Sequence, residues 1–213
     1  MTRNKKPKGD QSNSISSNNN NIDQPLRFID VLASPKHIVL FYEELEYGRR
    51  VIFRFIKNGL LKGEHCLYAV ADNFDFIEQK MRDSGIETQF KKKNLLRLYS
   101  MPNHIHDKDH KERITRGSKK MVNQILADLE PPFRLVIRVF SELDSKETLA
   151  ANIAIERKLQ SKFHKFKGSI LCPFPVDRVQ PEIHGRWMSE LLQSHNAAIF
   201  IPKSGEGVAF NMD

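Results

Sequence analysis

The chain has little cysteine and no long apolar run, and both absences restrict its class. Its only cysteines, Cys66 and Cys172, lie far apart, each inside an apolar stretch. Two such cysteines do not form the disulfide framework of a small secreted domain, which favours a reducing compartment. No stretch of about 20 apolar residues occurs, and the basic N-terminal residues are not followed by the apolar core of a signal peptide. We therefore expect a cytoplasmic protein without membrane contacts.

Large apolar side chains are almost missing from residues 1–24, which are rich in Asn and Ser. Such a segment cannot bury enough apolar surface to offset the entropy lost on ordering, so we expect a disordered polar tail. Residues 25–213 are long enough for one domain with a substantial core, in a chain whose hydrophobic content is 39%. The sequence therefore predicts a tail followed by a single domain.

The net charge of +8 raises the question of nucleic-acid binding. The basic residues are scattered, and the denser patches at 91–93 and 108–120 carry no helix-turn-helix, zinc-finger or aromatic RNA-binding motif. We therefore expect no nucleic-acid contact through this chain alone. The alternative, a basic nucleic-acid-associated scaffold, predicts binding that weakens steeply with salt.

Apolar periodicity predicts strands that alternate with helices. The predicted strands are His37–Tyr42, Cys66–Ala71, Leu95–Tyr99, Phe133–Phe140 and Ser169–Pro173, with a terminal hairpin of Ala197–Ile201 and Val208–Phe210. The predicted helices are 25–33, 44–58, 73–84, 112–129, 146–166 and 181–195, with Gly59, Gly85 and Gly168 as stops. This order indicates an α/β fold of three αβα layers around a mostly parallel sheet.

The connection after the first strand lacks the chemistry of a phosphate-binding loop. The motif G-x-x-x-x-G-K-[ST] needs glycines for backbone contacts, Lys for the outer phosphates and a hydroxyl for Mg²⁺. Gly48 is the only glycine retained, Arg49 and Arg50 replace the Lys and the hydroxyl, and Glu43 replaces the first glycine. A carboxylate about 4 Å from a phosphate costs roughly 4 kcal/mol at an effective dielectric near 20. We expect no ATP hydrolysis; the alternative is residual ATP binding through the two arginines.

Ligands of open α/β sheets bind beyond the carboxyl ends of the strands. The residues expected to line such a cleft are Tyr42, Glu43, Ala71, Asp72, Ser141 and Glu142. Cys66 and Cys172 are candidate sensor thiols or soft metal ligands if they lie close together, and small core residues otherwise. No other spacing predicts a metal site or a nucleophile.

The segment F-x-x-x-G-L-x-x-G-E, followed by an apolar strand, carries a family resemblance. Its members here are Phe55, Gly59, Leu60, Gly63 and Glu64, and the strand begins at Cys66. Together with the later segments RVFSELD and NIAIERKLQSKFHKFKGSILCPFPVDRV, it resembles the MEDS sensory domain of DcmR-type regulators. It is also similar to the KaiC/RecA-type ATPase core.

The resemblance implies a KaiC-like scaffold that has lost its phosphate loop, and we expect no cofactor. It maps family landmarks onto His37, Glu142, Glu156 and Cys172, which makes His37 and Glu156 ligand-binding candidates. The implied ligand is a small hydrocarbon derivative. We therefore expect a noncatalytic sensory module for signal transduction or transcriptional regulation, which binds a small organic ligand or a signalling protein and is able to form a homo-oligomer. DcmR-type regulators carry a DNA-binding or kinase module that has no counterpart here, which argues against direct action as a transcription factor.

Overall fold

The computed structural model describes most of the chain. The described residues are 23–33, 35–70, 73–86, 93–100, 120, 123–125, 127, 130–138, 146–177, 179, 181–203 and 205–212. The helices are α1 (Gln24–Asp30), α2 (Leu45–Leu61), α3 (Phe74–Asp83), α4 (Lys146–Lys162) and α5 (Pro181–Leu192). The strands are β1 (His37–Tyr42), β2 (His65–Val70), β3 (Leu96–Ser100), β4 (Phe133–Val136), β5 (Gly168–Pro175), β6 (Ala197–Lys203) and β7 (Glu206–Asn211).

The strands form one sheet, and its topology confirms the predicted fold class. The order is β3-β2-β4-β5-β1-β6-β7, and every pairing is parallel except that of β6 with β7. The antiparallel pair is the predicted terminal hairpin. Strand β1 lies between β5 and β6 in the interior of the sheet, and all its residues are buried, as its unbroken apolar run predicts.

Alternation of side chains along the strands divides the core between the two faces of the sheet. Val39 and Phe41 of β1 pack with apolar residues of α4 and α5 on one face. Leu40 and Tyr42 pack with α1, α2 and α3 on the other. Helices therefore cover both faces in the predicted three layers. Among the described residues, no helix has the length and apolarity needed to cross a membrane.

The end of helix α2 differs from the predicted one. Gly59 does not end the helix, which continues to Leu61, and the turn is made by Gly63 with φ of 76°. A Cβ atom on Gly59 would lie 2.6 Å from Cδ of Arg134. The glycine therefore leaves room for a large side chain from β4, and that packing offsets its helix-propensity cost of about 1 kcal/mol.

The Arg134 side chain explains the segment that carries the family resemblance. It is only 2% exposed, and its Nε and Nη2 donate to the Glu64 carboxylate at 2.8 and 3.3 Å. Its Nη1 donates to the Phe55 carbonyl oxygen at 2.8 Å, and the guanidinium lies over the Phe55 ring. One buried guanidinium is thus surrounded by Phe55, Gly59 and Glu64. Gly63 makes the turn that joins the helix to Glu64.

Several element boundaries differ from the predicted ones. Helix α1 begins at Gln24 with Asp23 as its N-cap, so the last residue of the predicted tail is helical; residues 1–22 lie outside the described part. Helix α4 ends at Lys162 in a 3₁₀ turn, and Gly168 begins β5, where a Cβ would meet the Phe133 carbonyl oxygen at 2.3 Å. Gly85, with φ of 72°, follows α3 as predicted. The described residues within 112–129 are helical.

Candidate functional site

The connection from β1 to α2 is short and acidic. Strand β1 ends at Tyr42 and α2 begins at Leu45, so only Glu43 and Glu44 join them. The residues aligned with the end of the phosphate motif, 48–50, lie inside the helix. Two linking residues provide fewer backbone N–H groups than the eight-residue motif that surrounds phosphates.

The first turns of α2 are covered by protein side chains. A Cβ atom on Gly48 would lie 2.8 Å from the Tyr42 ring, which is itself buried. Nη1 of Arg49 donates to Oε1 of Glu46 at 2.5 Å, and the Arg49 guanidinium lies 5.1 Å from the centre of the Phe76 ring. Both Arg49 and the Tyr42 ring are therefore engaged within the fold.

The predicted cleft at the carboxyl edge is only partly described. Tyr42 and Glu43 lie there, and Glu43 N donates to the Ile201 carbonyl oxygen at 3.1 Å. The candidates Asp72 and Glu142 lie outside the described residues, as do Ala71 and Ser141. Their grouping stays a prediction.

A buried polar cluster lies elsewhere, on the sheet face under α4 and α5. We call it the four-residue cluster: His37, Glu156, Cys172 and His195. The side chains of His37, Glu156 and His195 have no exposed surface, and Cys172 is equally buried. One ligand atom from each residue lies within 4.8 Å of all the others. Four polar side chains from four parts of the chain thus meet in the core.

The Glu156 carboxylate is the centre of the cluster. Its Oε2 lies 3.3 Å from Nε2 of His37 and 3.5 Å from Nε2 of His195. The Cys172 thiol donates to the same oxygen at 3.3 Å, and its Sγ is 3.5 Å from Nε2 of His37. The other carboxylate oxygen, Oε1, has no hydrogen-bond partner among the described residues.

Strand register places the two sheet residues of the cluster on one face. His37 alternates with Val39 and Phe41, so its side chain shares their face of the sheet. Val39 is the register partner of Cys172 in β5, and both belong to the core beneath α4 and α5. His37 is the first residue of β1. The cluster therefore lies toward the amino end of the parallel strands, away from the predicted cleft.

Each imidazole is held by its second ring nitrogen. Nδ1 of His195 donates to the Leu191 carbonyl oxygen at 2.7 Å. Nδ1 of His37 is 2.9 Å from Oε1 of Gln160, one turn along α4 from Glu156. The two rings lie 4.0 Å apart between centroids. These contacts direct both Nε2 atoms toward the carboxylate.

Burial and the neighbouring side chains together set the protonation of the cluster. Burial raises the pKa of the Glu156 carboxyl group, but the neighbouring His195 and His37 imidazoles outweigh it and hold that pKa at about 2. Burial lowers the pKa of His195. Burial and the adjacent carboxylate raise the pKa of the Cys172 thiol well above its ordinary value. The cluster thus holds a carboxylate beside a protonated thiol.

The second cysteine is separate. Cys66 packs on the opposite face of the sheet with α2 and α3, so the two cysteines do not lie close together and the condition for a joint site is not met. Cys66 is buried, and burial raises its pKa to about 12, which favours the interpretation of this thiol as a core residue.

The structure thus brings together three candidates, His37, Glu156 and Cys172, and adds a fourth that the sequence did not indicate. Trp187, Leu191 and His195 are spaced four residues apart, and all three are buried. This spacing continues the buried face of α5 past the end of the helix, and it was the one sequence signal that His195 is buried.

Outside the cluster, α4 and α5 enclose a groove of about 500 Å³. It is lined by Lys146, Leu149, Ala150, Ile153, Ala154, Arg157, Arg186, Trp187 and Glu190. The Glu190 carboxylate accepts from Arg157 at 3.0 Å and from Arg186 at 3.2 Å. Ion pairs along the groove therefore link the two helices.

Comparison with known proteins agrees with this fold. The model of the MEDS family, the MEthanogen/methylotroph, DcmR Sensory domain, matches residues 36–196. No curated protein matches the chain in sequence. The structure is similar to a KaiC-like protein from the hyperthermophilic archaeon Pyrococcus horikoshii OT3, with a TM-score of 0.51 and 13% identity over 84% of this chain and 78% of the other. It is also similar to the flagellar accessory protein FlaH from Methanocaldococcus jannaschii, with a TM-score of 0.56 and 12% identity over 90% and 85%.

Proposed function

This chain belongs to the MEDS family, and from that premise we propose that it is a noncatalytic sensory module whose sensing element is the four-residue cluster. The observation that carries the proposal is the cluster itself: four polar side chains, at most 4% exposed, brought together from β1, α4, β5 and the turn after α5. Burying polar groups without full pairing costs stability, so such a set calls for a role beyond packing.

The position of the cluster supports a mechanical output. His37 and Cys172 belong to interior strands of the sheet, whereas Glu156 belongs to α4 and His195 follows α5. A ligand that changes the spacing of these groups therefore moves the helices relative to the sheet. Because Arg157 of α4 pairs with Glu190 of α5 at the outer surface, the change reaches a surface that a signalling partner can contact. The physical basis is differential affinity for two helix arrangements.

The geometry of the β1–α2 connection argues against the alternative of residual ATP binding. Two residues replace the phosphate loop, and both are glutamates. The Tyr42 ring packs against Gly48, where a phosphate chain would need space. We propose that this loop is degenerate and that no nucleotide is hydrolysed.

For the ligand we propose a small organic molecule, in line with the word sensory in the family's description. The groove between α4 and α5 has the apolar lining residues Leu149, Ile153 and Trp187, and α4 also carries Glu156 of the cluster. A signalling protein as a direct partner, and a homo-oligomer, stay predictions. We also propose a cytoplasmic location, on the cysteine content, and no nucleic-acid binding, on the scattered basic residues.

A ligand panel with matched variants tests the proposal. The panel contains Mg-ATP, short alcohols and halogenated hydrocarbons, and the readouts are thermal stability and hydrogen exchange. A ligand at 100 times its dissociation constant adds about 2.7 kcal/mol of stability. We expect an organic probe to slow exchange in α4 and α5, with the response lost in Glu156→Gln and kept in Cys66→Ala. Mg-ATP should have no effect.

Two outcomes contradict this proposal. Stabilisation by Mg-ATP with phosphate release, lost in Arg49→Ala or in the exposed Arg50→Ala variant, would establish an ATPase. An organic response that is equal in the wild type and in Glu156→Gln would place the sensing element elsewhere.

A further inference from the structure

We propose that the four-residue cluster is a mononuclear site for a divalent transition metal, best suited to Zn²⁺. The ligands are Nε2 of His37, Nε2 of His195, Sγ of Cys172 and one carboxylate oxygen of Glu156. The inference deepens the proposed function and rests on its assignment of this cluster as the sensing element. It reverses the expectation from sequence that no metal site is present.

The spacing of the donor atoms fits tetrahedral zinc. With Zn–N and Zn–O near 2.0 Å and Zn–S near 2.3 Å, tetrahedral geometry separates neighbouring N and O ligands by about 3.3 Å and N and S ligands by about 3.5 Å. The Glu156 oxygen is 3.3 Å from His37 Nε2 and 3.5 Å from His195 Nε2. Cys172 Sγ is 3.5 Å from His37 Nε2. The widest separation in the set is within 4.8 Å, so small side-chain shifts complete the tetrahedron.

The ring contacts prepare both imidazoles for metal binding. A backbone carbonyl only accepts, so Nδ1 of His195 carries the proton that it donates to Leu191, which leaves Nε2 as the ring nitrogen able to bind a metal. The Gln160 side-chain oxygen fixes His37 in the same way. Metal-bound histidines in proteins are held by this type of second contact.

Two buried atoms of the cluster favour a positively charged partner. Nε2 of His195 and Oε1 of Glu156 are buried and make no hydrogen bond within the described residues. The two side chains face each other, because Oε2 of Glu156 lies 3.5 Å from the same Nε2. A metal ion satisfies both groups at once.

The charges balance when a dication is bound. Glu156 supplies one negative charge, and Cys172 supplies a second when metal binding displaces its thiol proton to solvent. Two neutral imidazoles add none. The loaded site is therefore neutral, which removes the penalty for keeping a net charge in a fully buried position.

The ligand set also restricts the metal and its role. Imidazole and thiolate favour Zn²⁺ over Mg²⁺ or Ca²⁺, which prefer oxygen ligands. Four protein ligands leave no open position for water, which is the pattern of structural rather than catalytic zinc sites. A closed site of this kind fits a noncatalytic module whose helix packing depends on metal occupancy.

Cobalt substitution of the full chain, purified without a polyhistidine tag, tests the proposal. Co²⁺ bound to a thiolate gives a sulfur-to-metal charge-transfer absorption. We expect one Co²⁺ per chain, displacement by Zn²⁺, and a higher melting temperature that chelator reverses. The Cys66→Ala variant is decisive, because Cys172 is then the only cysteine left. We expect it to keep the full charge-transfer band.

Two further variants assign the remaining ligands. Cys172→Ala should lose the charge-transfer band, and Gln160→Ala should weaken metal affinity by roughly 10- to 100-fold through its effect on His37. If Cys172→Ala fails to fold, the wild-type and Cys66→Ala spectra alone decide the question.

The proposal is overturned if Co²⁺ gives no thiolate band in the wild type, or if the band disappears in Cys66→Ala. Metal bound without a thiolate band would mean an adventitious site. In either case an organic-ligand response that depends on Glu156 would leave the proposed sensory function intact, so the two proposals fail separately.

Discussion

Removing Glu64 should strongly destabilise the protein, because it leaves a guanidinium unpaired in the core. Arg134 is 2% exposed and Glu64 17%, and two of the three guanidinium hydrogen bonds go to this carboxylate. Breaking a buried ion pair by removing one partner costs about 3–5 kcal/mol. We expect Glu64→Gln to lower the free energy of unfolding by about 3 kcal/mol, somewhat less than Ala, because the amide retains one hydrogen-bond acceptor.

Urea denaturation of a double-mutant cycle measures this effect. The cycle compares Glu64→Gln, Arg134→Met and the double variant; the double variant should recover much of the loss, since Met fills the space without an unpaired charge. The control is Glu206→Gln, which removes an exposed pair with Lys203 and should change stability by less than about 0.5 kcal/mol. Additive effects, or a Glu64→Gln loss similar to the control, would refute the view that this segment is built around Arg134.

Two further predictions concern single positions. Gly59→Ala should lower the stability by about 1–3 kcal/mol, because the new Cβ would lie 2.6 Å from Arg134. The control Gly185→Ala, whose Cβ would have nothing within 4 Å, should be neutral or stabilising. Equal melting temperatures of the two variants would contradict this prediction. The hydrogen bonds from Arg54 lower the pKa of Asp30 below 3.8. The Asp30–Arg54 ion pair therefore stabilises the fold above pH 3.8, and this stabilisation is lost as the pH falls through the lowered pKa. The pair is partly exposed, so Asp30→Asn should cost about 0.5 kcal/mol at pH 7, and denaturation at pH 7 and pH 3 should show the cost shrinking; a constant cost would argue against the pair.

Much of the fold was predictable because periodicity reports directly on burial. The five apolar residues of β1 that follow His37, and the alternation of strands with helices, predicted a parallel sheet covered on both faces, and the order of the strands confirms it. Gly59 was misinterpreted because a glycine in a helical pattern is read as a stop. Its actual role depends on Arg134, which lies 75 positions away in the chain and beside it only in the sheet.

The candidate site was predictable only in part. His37, Glu156 and Cys172 were indicated by the family resemblance, whereas the residues themselves gave no reason to group them. The general rule for open sheets directed attention to the carboxyl ends of the strands. His195 was missed because a histidine just beyond a helix carries no spacing signal toward β1 or β5.

The sequence by itself determined which segments form strands and helices, and that the β1–α2 connection lacks phosphate-binding residues, because these properties depend on neighbours along the chain. Tertiary structure alone decided which polar groups meet. Strand alternation and register placed His37 and Cys172 on the same face of the sheet and Cys66 on the other, and the packing of α4 and α5 brought Glu156 and His195 over them. Contacts between residues distant in sequence depend on strand order and helix packing, which no local pattern encodes.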